Sequence, residues 1–131
     1  CDKKIAKNVK LDNNLINSLK KTIENKLKSS EELIMNETNA VSKVSLAYDS
    51  LRELLEALSL KKGYKIYNHE CYTAFLKETI GESEKGGEFD KIRIERNAIY
   101  YYAKEISPEE AKILIDKIKH LRNQVHNLLN N

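Results

Sequence analysis

The feature that most limits how this chain can fold is a stripe of apolar residues at helical spacing, running for roughly seven or eight turns. Leu33, Val41, Val44, Tyr48, Leu51, Leu55 and Leu58 carry it. A face of that length leaves water only where other helices cover it. Asn36, Thr38 and Asn39 weaken its first part, so a bend is expected there. Lys61-Lys62-Gly63 marks its end: cations beside the partly negative C-terminal carbonyls, then a glycine for the left-handed cap. No stretch alternates with period two, so no sheet is expected. The expected fold is all-α, an antiparallel up-and-down bundle of four to five helices joined by short loops.

The remaining elements follow from the same signals. Residues 1–14 are Lys- and Asn-rich with sparse apolar positions and read as a frayed lead-in; residues 15–131 form one bundle domain. Leu15, Leu19, Ile23 and Leu27 outline a first helix to about Ser29, with Ser30 as a cap or brief break before Glu31 and Glu32. Asn68 caps a third helix with Tyr72, Phe75, Leu76 and Thr79 facing inward, closed by Gly81. Residues 82–88, E-S-E-K-G-G-E, read as a surface loop. A fourth helix spans Phe89 to about Ala103. Ser107-Pro108-Glu109-Glu110 opens a fifth, with serine at N-cap, proline at N1 and glutamate closing a capping box.

Composition narrows the function classes. With 131 residues, 33% charged and 40% hydrophobic, no Trp and one Pro, the chain suits a single soluble helical domain. A formal charge of +3 permits nucleic-acid binding without requiring it. No apolar run is long enough to span a membrane, and no membrane partner is expected. Cys1 and Cys71 form neither a C-x-x-C pair nor a ligand cluster, which points to a reducing interior and a cytoplasmic setting. A first-position cysteine is compatible with a lipidated mature terminus; the preferred explanation is a chain that begins mid-sequence or has lost its Met.

The fourth helix holds the anomaly. Phe89, Ile92, Arg96, Ile99 and Ala103 share one inward face, which puts an arginine among positions that should be apolar. Buried arginine needs a partner, so Arg96 is expected to face a carboxylate, a polar groove or a subunit boundary. Of the 23 Lys+Arg only four are Arg, and Arg93 and Arg96 both fall here, where a planar fork suits phosphate or carboxylate. The histidines offer less. His69 lies beside Glu70 at a helix start, and His120 and His126, six apart, share no face, so all three read as lone surface residues and neither metal nor cofactor is expected. No Gly-rich phosphate loop, nucleophile elbow or H-E-x-x-H is present, which argues against a side-chain-triad hydrolase.

Three segments, Tyr48 to Leu58, Gly63 to Glu70 and Ala74 to Glu78, together with F-D-K-I-R-I-E-R-N-A-I-Y-Y-Y-A-K-E-I-S-P-E-E-A (Phe89 to Ala111), resemble the HEPN domain family, closest to small stand-alone archaeal-type members. The resemblance spans roughly Leu15 to Leu129. It implies a four- or five-helix bundle that dimerises, and a place among RNases, RNA-binding toxins or partners of a minimal nucleotidyltransferase. The family's catalytic signature is an arginine, a polar residue and, after four to six intervening residues, a histidine. On this chain Arg96 takes the arginine place and Asn97 the polar place. The histidine place falls on Tyr101 or Tyr102. Tyrosine, with an unperturbed pKa of about 10, does not titrate near neutrality as histidine does, whereas it stacks and donates a hydrogen bond. Arg93, Arg96, Tyr100 and Lys104 are the candidate RNA-contacting residues.

Three functions fit. The first is a HEPN-like homodimer that binds RNA, a nucleotide or a cognate minimal nucleotidyltransferase in a toxin–antitoxin-like pair, without robust catalysis. The runner-up is a metal-independent endoribonuclease toxin with tyrosine in place of histidine. The third is a purely structural helical dimer.

Overall fold

Helix α2 (Ala40–Lys61) is the axis of the bundle. In the computed structural model, which describes residues 1, 4–7 and 10–130, α1 (Asn13–Glu32) and α5 (Pro108–Asn130) flank it. The other side is covered by α3 (Cys71–Ala74, continuing as a π-helical turn, Phe75–Thr79) and α4 (Ser83–Tyr101). Because neighbours surround it, α2 is buried well beyond the expected stripe: Leu54, Ala57, Ser50 and Ser59 join Tyr48, Leu51, Leu55 and Leu58. Its aromatic end meets α3 and α4, where Tyr48 stacks on Phe89 at 6.2 Å and Tyr72 meets Phe89 edge-on at 6.1 Å. The expected all-α bundle is what forms. No helix among the described residues is long and apolar enough to cross a membrane.

Several ends form as the residues dictate. Lys61 closes α2 and Gly63 follows with φ +88°, the left-handed conformation a glycine adopts freely. At α5 the capping box is in place: the Glu110 N–H donates to Ser107 Oγ at 3.1 Å and the Ser107 N–H to Glu110 Oε1 at 3.4 Å. The bend expected near Asn36–Asn39 is a full break. Asn36 Oδ1 accepts the Asn39 N–H at 2.8 Å, and the Asn39 amide donates to the Ile34 carbonyl at 3.1 Å, so these side chains compete with helix continuation. Ser30 does not break α1. It is buried inside it and donates to the Lys43 carbonyl at 2.7 Å, while Lys43 Nζ donates to the Leu33 carbonyl at 2.7 Å near the end of that helix.

Four expectations are corrected. Ile5–Lys7, placed in a frayed lead-in, forms strand β1 and pairs antiparallel with β2 (Tyr64–Ile66), Ile5 opposite Ile66. Three-residue strands are too short to display a period, which is why an all-helical pattern hid them. The rest of the lead-in falls partly outside the described residues; Asp12 caps α1 by accepting the Leu15 N–H at 3.0 Å. Residues 82–88 are not a loop, since α4 begins at Ser83 and runs through both glycines. A Cβ at Gly86 would come within 2.7 Å of Lys77 Cγ and 3.0 Å of the Thr73 carbonyl oxygen. That glycine therefore serves close packing of α4 on α3, not chain flexibility. Thr79, expected inward, is exposed. Finally, Cys1 and Cys71 are not thiols of a reducing interior but a disulfide across 70 residues, with Cα atoms 5.5 Å apart.

Candidate functional site

Arg96 reaches its place because α4 turns its inward face toward the aromatic end of α2. The residue is only 8% exposed. None of the ion pairs among the described residues involves it, which corrects the carboxylate expectation. Tyrosines surround it. Its Cζ lies 4.7 Å from the centre of the Tyr48 ring, 4.5 Å from that of Tyr100 and 5.6 Å from that of Tyr101. Each ring's electron-rich face attracts the guanidinium, and more strongly where water is displaced. The side chain makes one hydrogen bond, from Nη1 to Asn97 Oδ1 at 3.3 Å. Its Nε–H is buried without a hydrogen-bond partner among the described residues, as is the Tyr48 hydroxyl.

The other sequence candidates divide. Asn97 joins Arg96 directly, and Tyr100 and Tyr101 belong to the same cluster, standing edge to face at 5.3 Å. Tyr102 ends α4, is 80% exposed and is not among the rings over Arg96. Lys104 is exposed beyond the helix, after Ala103 with its positive φ of 52°. Arg93 is already engaged, donating to Asp90 Oδ1 at 2.9 Å, while Thr73 donates to the same oxygen at 3.2 Å. That pairing holds the Asp90 carboxyl below its ordinary range.

Two residues at this site escaped the sequence reading. Tyr48 was read as core, correctly as to burial, and yet its ring is the platform under Arg96. Burial pushes its phenol up to about 12 even though Arg96, Arg52 and Arg93 all pull the other way. His69, read as a lone surface histidine, is exposed on one side and leans its ring on Tyr48 and Tyr72, each 6.4 Å away centre to centre. Partial burial holds its pKa below the usual imidazole value, helped by the Arg52 and Arg96 charges and opposed by Asp49 and Glu56. The available signal was a tyrosine in an apolar stripe, since a buried hydroxyl asks for a partner.

Chemically, the cluster offers one buried cation with an unused N–H, exposed phenol rings beside it, and a histidine that also packs on Tyr48. Among the described residues no group of three or more His, Cys, Asp or Glu is placed to hold a metal ion. No protein-family model matches the chain, and no curated protein or solved structure matches it either.

Proposed function

We propose that the chain is a HEPN-like module that binds RNA or a nucleotide at the Arg96 cluster, and that it works as a homodimer. The supporting observation is the Arg96 guanidinium, held between tyrosine rings, buried, and with Nε–H unpaired among the described residues. A buried donor without a partner costs about 1–3 kcal/mol, and a phosphate oxygen would remove that cost. Tyr100, Tyr101 and Tyr102, 55%, 66% and 80% exposed, stand next to it as surfaces on which unpaired bases can stack, at roughly 1–3 kcal/mol per base. Because the site combines stacking with one strong phosphate contact, single-stranded RNA suits it better than a duplex. The resemblance adds a cognate minimal nucleotidyltransferase as the protein partner.

A dimer rests on the outward side of α4, where Ile94 is more than half exposed. Light scattering that returned a single 15.1 kDa species would remove the dimer and leave the RNA site standing. The cytoplasm, expected from the two isolated cysteines, would keep them reduced, whereas the Cys1–Cys71 bridge favours an oxidising setting. RNA binding at Arg96 needs neither.

The test is a titration of labelled single-stranded RNA at two salt concentrations. Arg96→Ala should weaken binding roughly tenfold or more. Lys112→Ala, a change on the exposed side of α5 at a residue paired only with Asp116, should leave it nearly unchanged. Equal losses from both would mean diffuse charge attraction and no site.

A further inference from the structure

We propose that His69 is a second contact of the RNA site, one that takes a proton as the strand binds. This rests on the RNA-binding reading of Arg96 and extends it to a residue on a different element.

The geometry places the two groups on one ring. Arg96 Cζ is 4.7 Å from the Tyr48 centroid and His69 is 6.4 Å from it, so the two can be no farther apart than those distances laid end to end. Three to four nucleotides of stacked strand, at a rise of about 3.4 Å each, cover that span at its longest. A strand stacked on Tyr100 with a phosphate on Arg96 can thus set a neighbouring phosphate or ribose oxygen against the imidazole.

The turn carrying His69 is fixed, as a binding residue requires. On one side the Tyr67 N–H donates to the Lys4 carbonyl at 2.8 Å, tying it to the residue before β1. Within it, Asn68 Oδ1 accepts the Glu70 N–H at 3.1 Å, and the His69 carbonyl accepts the Tyr72 N–H at 3.1 Å. On the other side Cys71 is anchored by its disulfide. The ring rests on Tyr48 and Tyr72 and keeps an exposed side for a ligand. Among the described residues the charges acting on it come from α2 and α4: Arg52 and Arg96, against Asp49 and Glu56. Partial burial holds the imidazole below its ordinary range, the mixed charges act in both directions, and a phosphate brought beside it would favour the charged form. Affinity should then rise as pH falls through the imidazole range, with one added phosphate contact steepening the salt dependence by about 0.7 in log–log slope.

The experiment measures anisotropy of a labelled ten-nucleotide single-stranded RNA against the whole chain at pH 5.5 and pH 8, at two salt concentrations. The wild type is expected to bind roughly tenfold tighter at pH 5.5, the scale of one charge-assisted hydrogen bond. His69→Ala should abolish most of that difference, with a larger loss of affinity at pH 5.5 than at pH 8. His69→Gln, which keeps a polar side chain, serves if the alanine variant fails to fold, and should be equally flat with pH. His120→Ala should retain the wild-type profile. A His69 variant that keeps the full pH dependence overturns the inference; if Arg96→Ala still weakens binding, the RNA site itself stands. No RNA binding by the wild type at either pH, or an Arg96→Ala variant that binds like it, overturns both.

Discussion

Arg96 and Arg122 are buried to nearly the same degree, 8% and 7% exposed, and their surroundings are opposite. Arg122, on α5, donates from Nε to Ser50 Oγ at 3.3 Å and pairs through Nη2 with the Glu24 carboxylate. Ser50 in turn donates to the Ile23 carbonyl at 3.0 Å, so one side chain ties α5, α2 and α1 together. Arg96 ties nothing of that kind. Its neighbours are tyrosine rings and one asparagine, and part of its N–H edge is unused among the described residues. The same residue type at the same depth therefore ties the fold together in one place and, in the proposed function, is left for a ligand in the other. Burial does not separate the two roles; the pairing of each N–H does.

The contrast belongs to the two arginines and not to the halves of the molecule around them. In the α1–α2–α5 half, buried Ser30, Lys43, Ser50 and Arg122 all make polar pairs. Unpaired buried atoms nevertheless occur on both sides among the described residues: Arg93 Nε and Arg96 Nε on α4, the Tyr48 hydroxyl and Glu53 Oε2 on α2, and Gln124 Oε1 on α5. What sets the α3–α4 side apart is its covalent anchor, the Cys1–Cys71 bridge. Removing the bridge with Cys1→Ser, which leaves the buried Cys71 side chain in place, should cost about 4 kcal/mol in the loop-entropy account of a closure this long. Denaturant melts with and without the substitution measure it, and a loss under about 1 kcal/mol would show that the α3–α4 half holds without the bridge.

Alkaline pH gives the next largest effect. Tyr48 has its pKa raised to about 12, against roughly 10 in the unfolded chain. Its contribution is therefore complete below pH 10 and is lost as pH rises toward 12, a total of about 3 kcal/mol. The Tyr72 phenol is raised by burial in the same direction. Stability measured from pH 8 to 11.5 should fall beyond pH 10, and Tyr48→Phe should flatten that fall.

The smallest effects test the two arginines directly. Arg122→Ala removes a charge-assisted pair and a buried hydrogen bond and should destabilise by about 2 kcal/mol, moderated because the abandoned Glu24 is largely exposed. Arg96→Ala should cost about 1 kcal/mol or less, because it loses ring contacts but also removes an unpaired donor. Its larger effect should appear in RNA binding. Thermal melts that ranked the two the other way would remove the distinction between them.

The sequence by itself determined what depends on neighbours a few residues away. Helical spacing, Lys61-Lys62-Gly63 and the Ser107–Glu110 box specify where α2 stops and where α5 starts, since each signal is a local hydrogen-bonding arrangement. The misplaced charge at Arg96 was equally legible, as a break in a periodic face. What answers that charge was not, because Tyr48 comes from another helix and looks apolar in its own stripe. Tertiary packing also decided the start of α4, where Gly86 is chosen by Thr73 and Lys77 opposite it rather than by helix propensity. The β1–β2 pairing and the Cys1–Cys71 bridge join segments some sixty to seventy residues apart in the chain. His69 acquires its place only when Tyr48 and Tyr72 are brought beneath it. Contacts at that range leave no periodic trace in either partner, so only the folded chain could reveal them.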